Sequence, residues 1–155
     1  MKNVFFSFHY DNDVNRANVV RNSWVIRGNK AAGFIDKADF EEIKKKGDKA
    51  VYDWIDKQLI GTSVTAVLIG KDTCNREFVR YELQQSYKRG NKIIGIYIHN
   101  IKDMRTGLTS SKGDTTFGSL GKNSNGEDVY SFQIAKTYDW INDNGYENFG
   151  KWIEG

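Results

Sequence analysis

Between residues 4 and 98 the chain alternates short apolar, β-rich runs with stretches of helical periodicity. Residues 4–8, 33–35, 64–69 and 93–98 read as strands. Residues 64–69 form an almost unbroken apolar run, as expected of a central parallel strand buried on both faces. Residues 12–26 place Ala17, Val20 and Trp24 at helical spacing, and residues 49–60 do the same with Val51, Trp54, Ile55 and Leu59. Residues 77–88 predict a third helix with Val79, Leu83 and Ser86 or Tyr87 inward. Strands alternating with helices in this way predict a flavodoxin-like α/β fold, a parallel sheet with helices on both faces and right-handed crossovers.

The second half differs. Glycine, serine, threonine and lysine dominate residues 100–128, which read as a long loop or insertion, followed by a short edge strand at 129–132. Residues 138–153 predict a closing helix broken near Gly145, docked on the sheet through Trp140, Ile141, Phe149, Trp152 and Ile153. The 155 residues suit one domain.

Composition excludes several functions. The net charge is +3, and acidic and basic residues are interspersed, so neither nucleic acid nor a membrane is an expected partner. Lys44, Lys45 and Lys46 follow Glu41 and Glu42 and read as a solvated loop or helix end. The apolar start is too short for a signal-peptide core, and no later run reaches membrane-spanning length. One cysteine, Cys74, allows no intrachain disulfide and fits a reducing, cytoplasmic setting. It has no activating histidine near it in sequence. Two separated histidines and one cysteine make a poor metal set, so no metal is expected. No glycine-rich dinucleotide fingerprint or Walker loop follows a strand. The third strand ends in Ile69-Gly70 where a phospho-accepting receiver domain would carry an aspartate.

In an open parallel sheet, ligands bind beyond the carboxyl ends of the strands. Residues 8–11, 36–40 and 70–73 are expected at that edge. The third of these leads into the helix carrying Phe78 and Glu82, which are four residues apart and share one face. Glu82 borders the core stripe of Val79 and Leu83. Its carboxylate is either a surface group pairing with Arg80 or Arg89, or a desolvated one held still for glycosidic-bond chemistry.

These pieces together resemble a TIR domain. The segment at residues 4–9 resembles the first TIR strand, and Gly33-Phe34-Ile35-Asp36 the second with the start of its mobile loop. Residues 62–70 resemble the third strand and its lead-in. Residues 78–83 resemble the "WCxxEL" box, with Phe78 in the tryptophan position. The closer likeness is to the TIR-like family of bacterial Thoeris antiphage systems. It is carried by residues 5–10, 19–22, 62–65, 79–82, 90–96 and 138–146 and is weakest over 100–128.

The resemblance implies an enzyme that cleaves NAD as its substrate, with no other cofactor. Glu82 would be the catalytic carboxylate, releasing nicotinamide from the ribose. Ser7, Phe8, His9 and Phe78 would bind substrate, with Asp36 at the mobile loop; Phe8 is equally well a core residue. The product would be a cyclic ADP-ribose-type signal for a separate effector protein, made after a phage-derived trigger and with possible self-association. A non-catalytic TIR-like interaction module and a nucleoside deoxyribosyltransferase-like enzyme are the alternatives.

Overall fold

The computed structural model describes residues 2–155. Strand β1 (Asn3–Ser7) leads into helix α1 (Tyr10–Val25), then β2 (Lys30–Ala32), α2 (Lys37–Lys45), α3 (Asp48–Leu59) and β3 (Val64–Ile69). After these come α4 (Glu77–Arg89), β4 (Lys92–Tyr97), a small hairpin of β5 (Gly121–Lys122) and β6 (Asp128–Val129), the short α5 (Ser131–Ile134), β7 (Lys136–Asp139) and α6 (Gly145–Glu154). The main sheet has the order β2-β1-β3-β4-β7 and is parallel throughout. Every residue of β3 is buried, as a central strand with both faces covered requires.

The pleat sends alternate residues to opposite faces. On one face Phe6 meets Phe149 of α6 at 5.9 Å, and Phe149 meets Trp24 of α1 at 5.1 Å. On the other, Ser7 and Thr65 face α4, bonded to Glu82 and Ser86 respectively. Beyond α4 the same face carries a second core, in which Phe117 and Leu120 of the insertion bury against the Val67, Ile69, Val79 and Leu83 group.

The structure corrects four of the expected elements. The second strand is Lys30–Ala32, ahead of the expected 33–35. Gly33 has φ +91°, and a Cβ there would lie 2.4 Å from the Phe6 carbonyl oxygen, so the chain leaves the ladder at this residue. Residues 37–45, part of a segment read only as edge loop, are helical, capped by Asp36, whose side chain accepts from the Asp39 N–H at 2.9 Å. Residues 136–139 form a fifth strand of the sheet, so the closing helix begins only at Gly145. The expected strand over 129–132 reduces to Asp128–Val129 in the hairpin, with helix from Ser131. The insertion is also better anchored than its composition suggests. Arg16, buried on α1, donates to the Ile101 and Leu108 carbonyls at 2.7 and 3.0 Å.

Candidate active site

The strand order reverses direction at β1: the chain passes from β1 outward to β2 and then back to β3 on its other side. Such a switch point leaves a crevice at the carboxyl ends of the two central strands. Here α4 supplies the groups that fill it. Its inward face carries Val79, Glu82, Leu83 and Ser86, all buried. Two of these four are polar, an unusual content for a core stripe, and each has a partner on the sheet. The Thr65 and Ser86 hydroxyls lie 2.7 Å apart, and Ser86 also donates to the Glu82 carbonyl at 2.7 Å. Ser7, at the last position of β1 and fully buried, donates to Glu82 Oε1 at 2.8 Å.

Glu82 is 6% exposed. Burial pushes its carboxyl up to about 8, against the opposing pull of the Ser7 hydrogen bond and the Arg76 charge. At neutral pH the group is therefore held mainly as the neutral acid. A carboxyl poised this way is well suited to chemistry in which positive charge arrives beside it, because the incoming charge ionises it in place.

Glu82 opens onto a cavity lined by Phe8, Tyr10, Phe40, Trp54, Arg76 and Phe78, among others. Aromatic rings make most of the wall. Phe8 packs on Tyr10 at 5.9 Å, Tyr10 on Phe40 at 4.8 Å, and Phe40 against Trp54 at 6.1 Å. The Tyr10 hydroxyl donates to the Ile35 carbonyl at 2.6 Å, pinning the ring to the segment before α2. Phe78 is held from behind by Tyr52, whose ring meets it edge-on at 5.7 Å while its hydroxyl donates to Glu77 at 2.6 Å. The cavity measures about 30 Å³, whereas small-molecule sites run to hundreds of Å³. In this conformation it is too small for a nucleotide.

Of the residues expected at the site, the structure brings Ser7, Phe8, Phe78 and Glu82 together. His9 stands outside the cavity as the cap of α1, its Nδ1 accepting from the Asn12 N–H at 3.4 Å. Burial and the neighbouring Arg76 lower its pKa below the usual imidazole value. Asp36 is exposed, caps α2 and faces a separate surface hollow with Arg21 and Phe34. Tyr10 and Phe40 lie in the segments expected at the ligand-binding edge, 8–11 and 36–40, but neither is singled out there as a site residue. Sequence reasoning missed Trp54, which carries only the ordinary signature of a core aromatic, and Arg76.

A doubly covered parallel sheet with a buried carboxyl and an aromatic cleft at its switch point is the arrangement of a TIR-like α/β domain. The family model described as "Thoeris protein ThsB, TIR-like domain" matches residues 5–103. A Bacillus cereus (strain MSX-D12) protein, named "Putative cyclic ADP-D-ribose synthase ThsB1", is 37% identical over 98% of each chain. The chain belongs to the Thoeris ThsB family of TIR-like proteins. A solved structure of Clostridium botulinum CMP N-glycosidase, BcmB, covers 97% of this chain and 99% of its own at a TM-score of 0.48 and 11% identity. At that level the likeness carries no inference about chemistry.

Proposed function

We propose that the chain cleaves the nicotinamide–ribose bond of NAD and converts the ADP-ribose portion into a cyclic signal. That signal activates a separate effector protein in antiphage defence. The observation carrying this reading is the buried Glu82 carboxyl, bonded to Ser7 and opening onto an aromatic cavity. Membership of the ThsB family and the printed name of the B. cereus relative support it.

The chemistry follows from the charges. The nicotinamide of NAD is a pyridinium, so its entry brings positive charge beside a neutral Glu82. Loss of the carboxyl proton then leaves an ion pair inside a low-dielectric site, where it is strong. Nicotinamide departs as a neutral ring and needs no general acid. The barrier is the oxocarbenium-like charge on the ribose, which the adjacent carboxylate stabilises. Ser7 holds the carboxylate in place, while Phe8 and Phe78 supply flat apolar walls for the ring and keep water away. With water excluded, a nucleophile within the ADP-ribose attacks and closes the ring.

The narrow cavity gives the trigger a role. Helix α2 has one fully buried side chain, Phe40, which forms part of the pocket wall, and Ile43 is partly buried against the same core. An element anchored so sparsely opens at low cost. In this reading the resting protein is shut in the cytoplasm, and a phage-derived trigger shifts α2 outward and promotes self-association. The test is incubation of NAD with protein taken from phage-infected and uninfected cells. Mass spectrometry is expected to show nicotinamide and a cyclised ADP-ribose from the former, both abolished by Glu82→Gln. Linear ADP-ribose alone, in a filtrate that activates no nucleotide-sensing effector, would refute the signalling half of the proposal.

A further inference from the structure

We infer that Arg76 is a specificity-determining residue that reads the 5′-phosphate of the ribose bound beside Glu82. This rests on the NAD-cleaving reading and deepens it. Arg76 is the one cation lining the Glu82 cavity among the described residues. It stands at the N-cap of α4, six residues before Glu82, or ~9 Å of helical rise. The two groups therefore address different parts of one ligand. Glu82 meets the glycosidic end of the ribose, and Arg76 meets what the ribose carries further out.

The contacts of Arg76 suit that role. A guanidinium has five N–H donors. Among the described hydrogen bonds its side chain makes one, to Asp11 at 3.3 Å. Asp11 is 42% exposed on its side chain and Arg76 26%, so the pair is solvent-screened and exchangeable. The stem of Arg76 lies against the pocket, with its guanidinium 5.6 Å from the centre of the Phe78 ring. It is thus fixed at the cavity mouth while most of its donors remain unspent. A phosphate presents two oxygens to the guanidinium fork at once, a bidentate contact that a lone carboxylate oxygen does not make. In this reading the Asp11 carboxylate holds the anion position until a phosphate replaces it. Asp72, which accepts from Asn12 at 3.3 Å, is the other acid at this rim. With Asp11 it raises the threshold for stray anions.

The consequence is discrimination: 5′-phosphorylated ligands are retained and bare nucleosides are not. The same pair supplies a two-sided test. If Arg76 served only as half of a structural ion pair, Arg76→Gln and Asp11→Asn would act alike. As a phosphate reader, Arg76→Gln loses affinity and Asp11→Asn, which frees the guanidinium, gains it.

Binding of ADP-ribose and of nicotinamide riboside is measured by NMR titration on the full chain in its activated state, prepared from phage-infected cells. Arg76→Gln is expected to weaken ADP-ribose at least tenfold without weakening the cationic riboside. Arg76→Lys, keeping charge but not the fork, falls between, and Asp11→Asn binds ADP-ribose as tightly as wild type or several-fold tighter. Parallel losses in Arg76→Gln and Asp11→Asn overturn the inference, as does an equal loss for the riboside. Absence of ADP-ribose binding to activated wild type at millimolar concentration also overturns it. Nicotinamide release from NAD by the same preparation then decides separately whether the glycosidic reading stands.

Discussion

The Ser7 hydroxyl and the Glu82 carboxyl meet at 2.8 Å across 75 residues of sequence, and both are buried. The bond couples the end of β1 to the middle of α4, so it fixes the carboxyl relative to the sheet as well as tuning its ionisation.

Removing that hydroxyl has a signed effect. A hydrogen bond donated to a carboxyl favours the ionised form, so Ser7→Ala raises the Glu82 pKa above its value of about 8. In the activated enzyme, kcat/KM for NAD is expected to rise with pH over a limb reporting the free carboxyl. In Ser7→Ala that limb moves upward. The rate at pH 7 falls about tenfold or more, the worth of a hydrogen bond to a charged group. An unshifted limb would detach Ser7 from the ionisation of Glu82.

Stability depends on the same group. The native pKa of about 8 lies above the model-peptide value of 4.5. The native state therefore binds more protons than the unfolded state between those values, and stability falls as pH rises from about 4.5 to about 8. The drop is on the order of 4 kcal/mol for one fully buried group. Asp13, pushed up to about 6 by burial despite Arg16, acts with the same sign over a lower window. Glu82→Gln mimics the neutral acid and abolishes the larger dependence. Urea denaturation is expected to show the variant near wild type at pH 5, clearly more stable at pH 8.5, and at least a hundredfold less active. Parallel stability curves for the two proteins would show that the carboxyl titrates alike folded and unfolded.

What the sequence made legible follows from how much of each element is buried. Strand β3 is covered on both faces, so its apolar run is unambiguous. The polar face of α4 was visible as spacing, but whether Glu82 faced water or sheet depended on Ser7, far away in the chain. Strand β2 is built on Ala31 and Ala32, which carry little apolar signal. The stronger Phe34 and Ile35 beside it place the expected strand three residues too far along. Strand β7 is a polar edge strand of lysine, threonine, tyrosine and aspartate, held by its pairing with β4. Helix α2 buries one residue of nine, too few for a periodicity. Arg76 reaches the site through the cap of α4, and a loop arginine has no sequence mark that points to a cavity.

Gly33 gives a test of the local geometry beneath the site. Its φ of +91° and the 2.4 Å approach of a Cβ to the Phe6 carbonyl make Gly33→Ala clash with backbone that ends at Ser7. Gly28 has a similar φ of +84° with nothing within 4 Å. Gly28→Ala is expected to cost ~1 kcal/mol, the left-handed penalty alone. Gly33→Ala is expected to cost at least ~3 kcal/mol, with strain added to it. Equal midpoints in chemical denaturation would show that the approach to Phe6 relaxes freely.

Phe40 joins stability to gating. Its ring is 5% exposed, packs near Tyr10 at 4.8 Å and Trp54 at 6.1 Å between ring centres, and lines the cavity of about 30 Å³ that Glu82 shares. Truncation to alanine removes the only buried side chain of α2. Deleting a buried phenylalanine from a rigid core costs ~3–5 kcal/mol. Here the loss should fall at or below that range, since α2 lies at the rim and water enters the space. The freed volume adjoins the carboxyl, so Phe40→Ala is expected to bind NAD without a trigger and to release nicotinamide above the resting level. Tighter closure would give the opposite sign: Phe40→Trp, adding bulk to the plug, should lower the response to infection. The two variants are compared by resting and triggered nicotinamide release, with thermal unfolding as the control for folding. If Phe40→Ala stays folded yet is as silent at rest as wild type, α2 is not the barrier to substrate entry. The trigger must then act elsewhere than on this door.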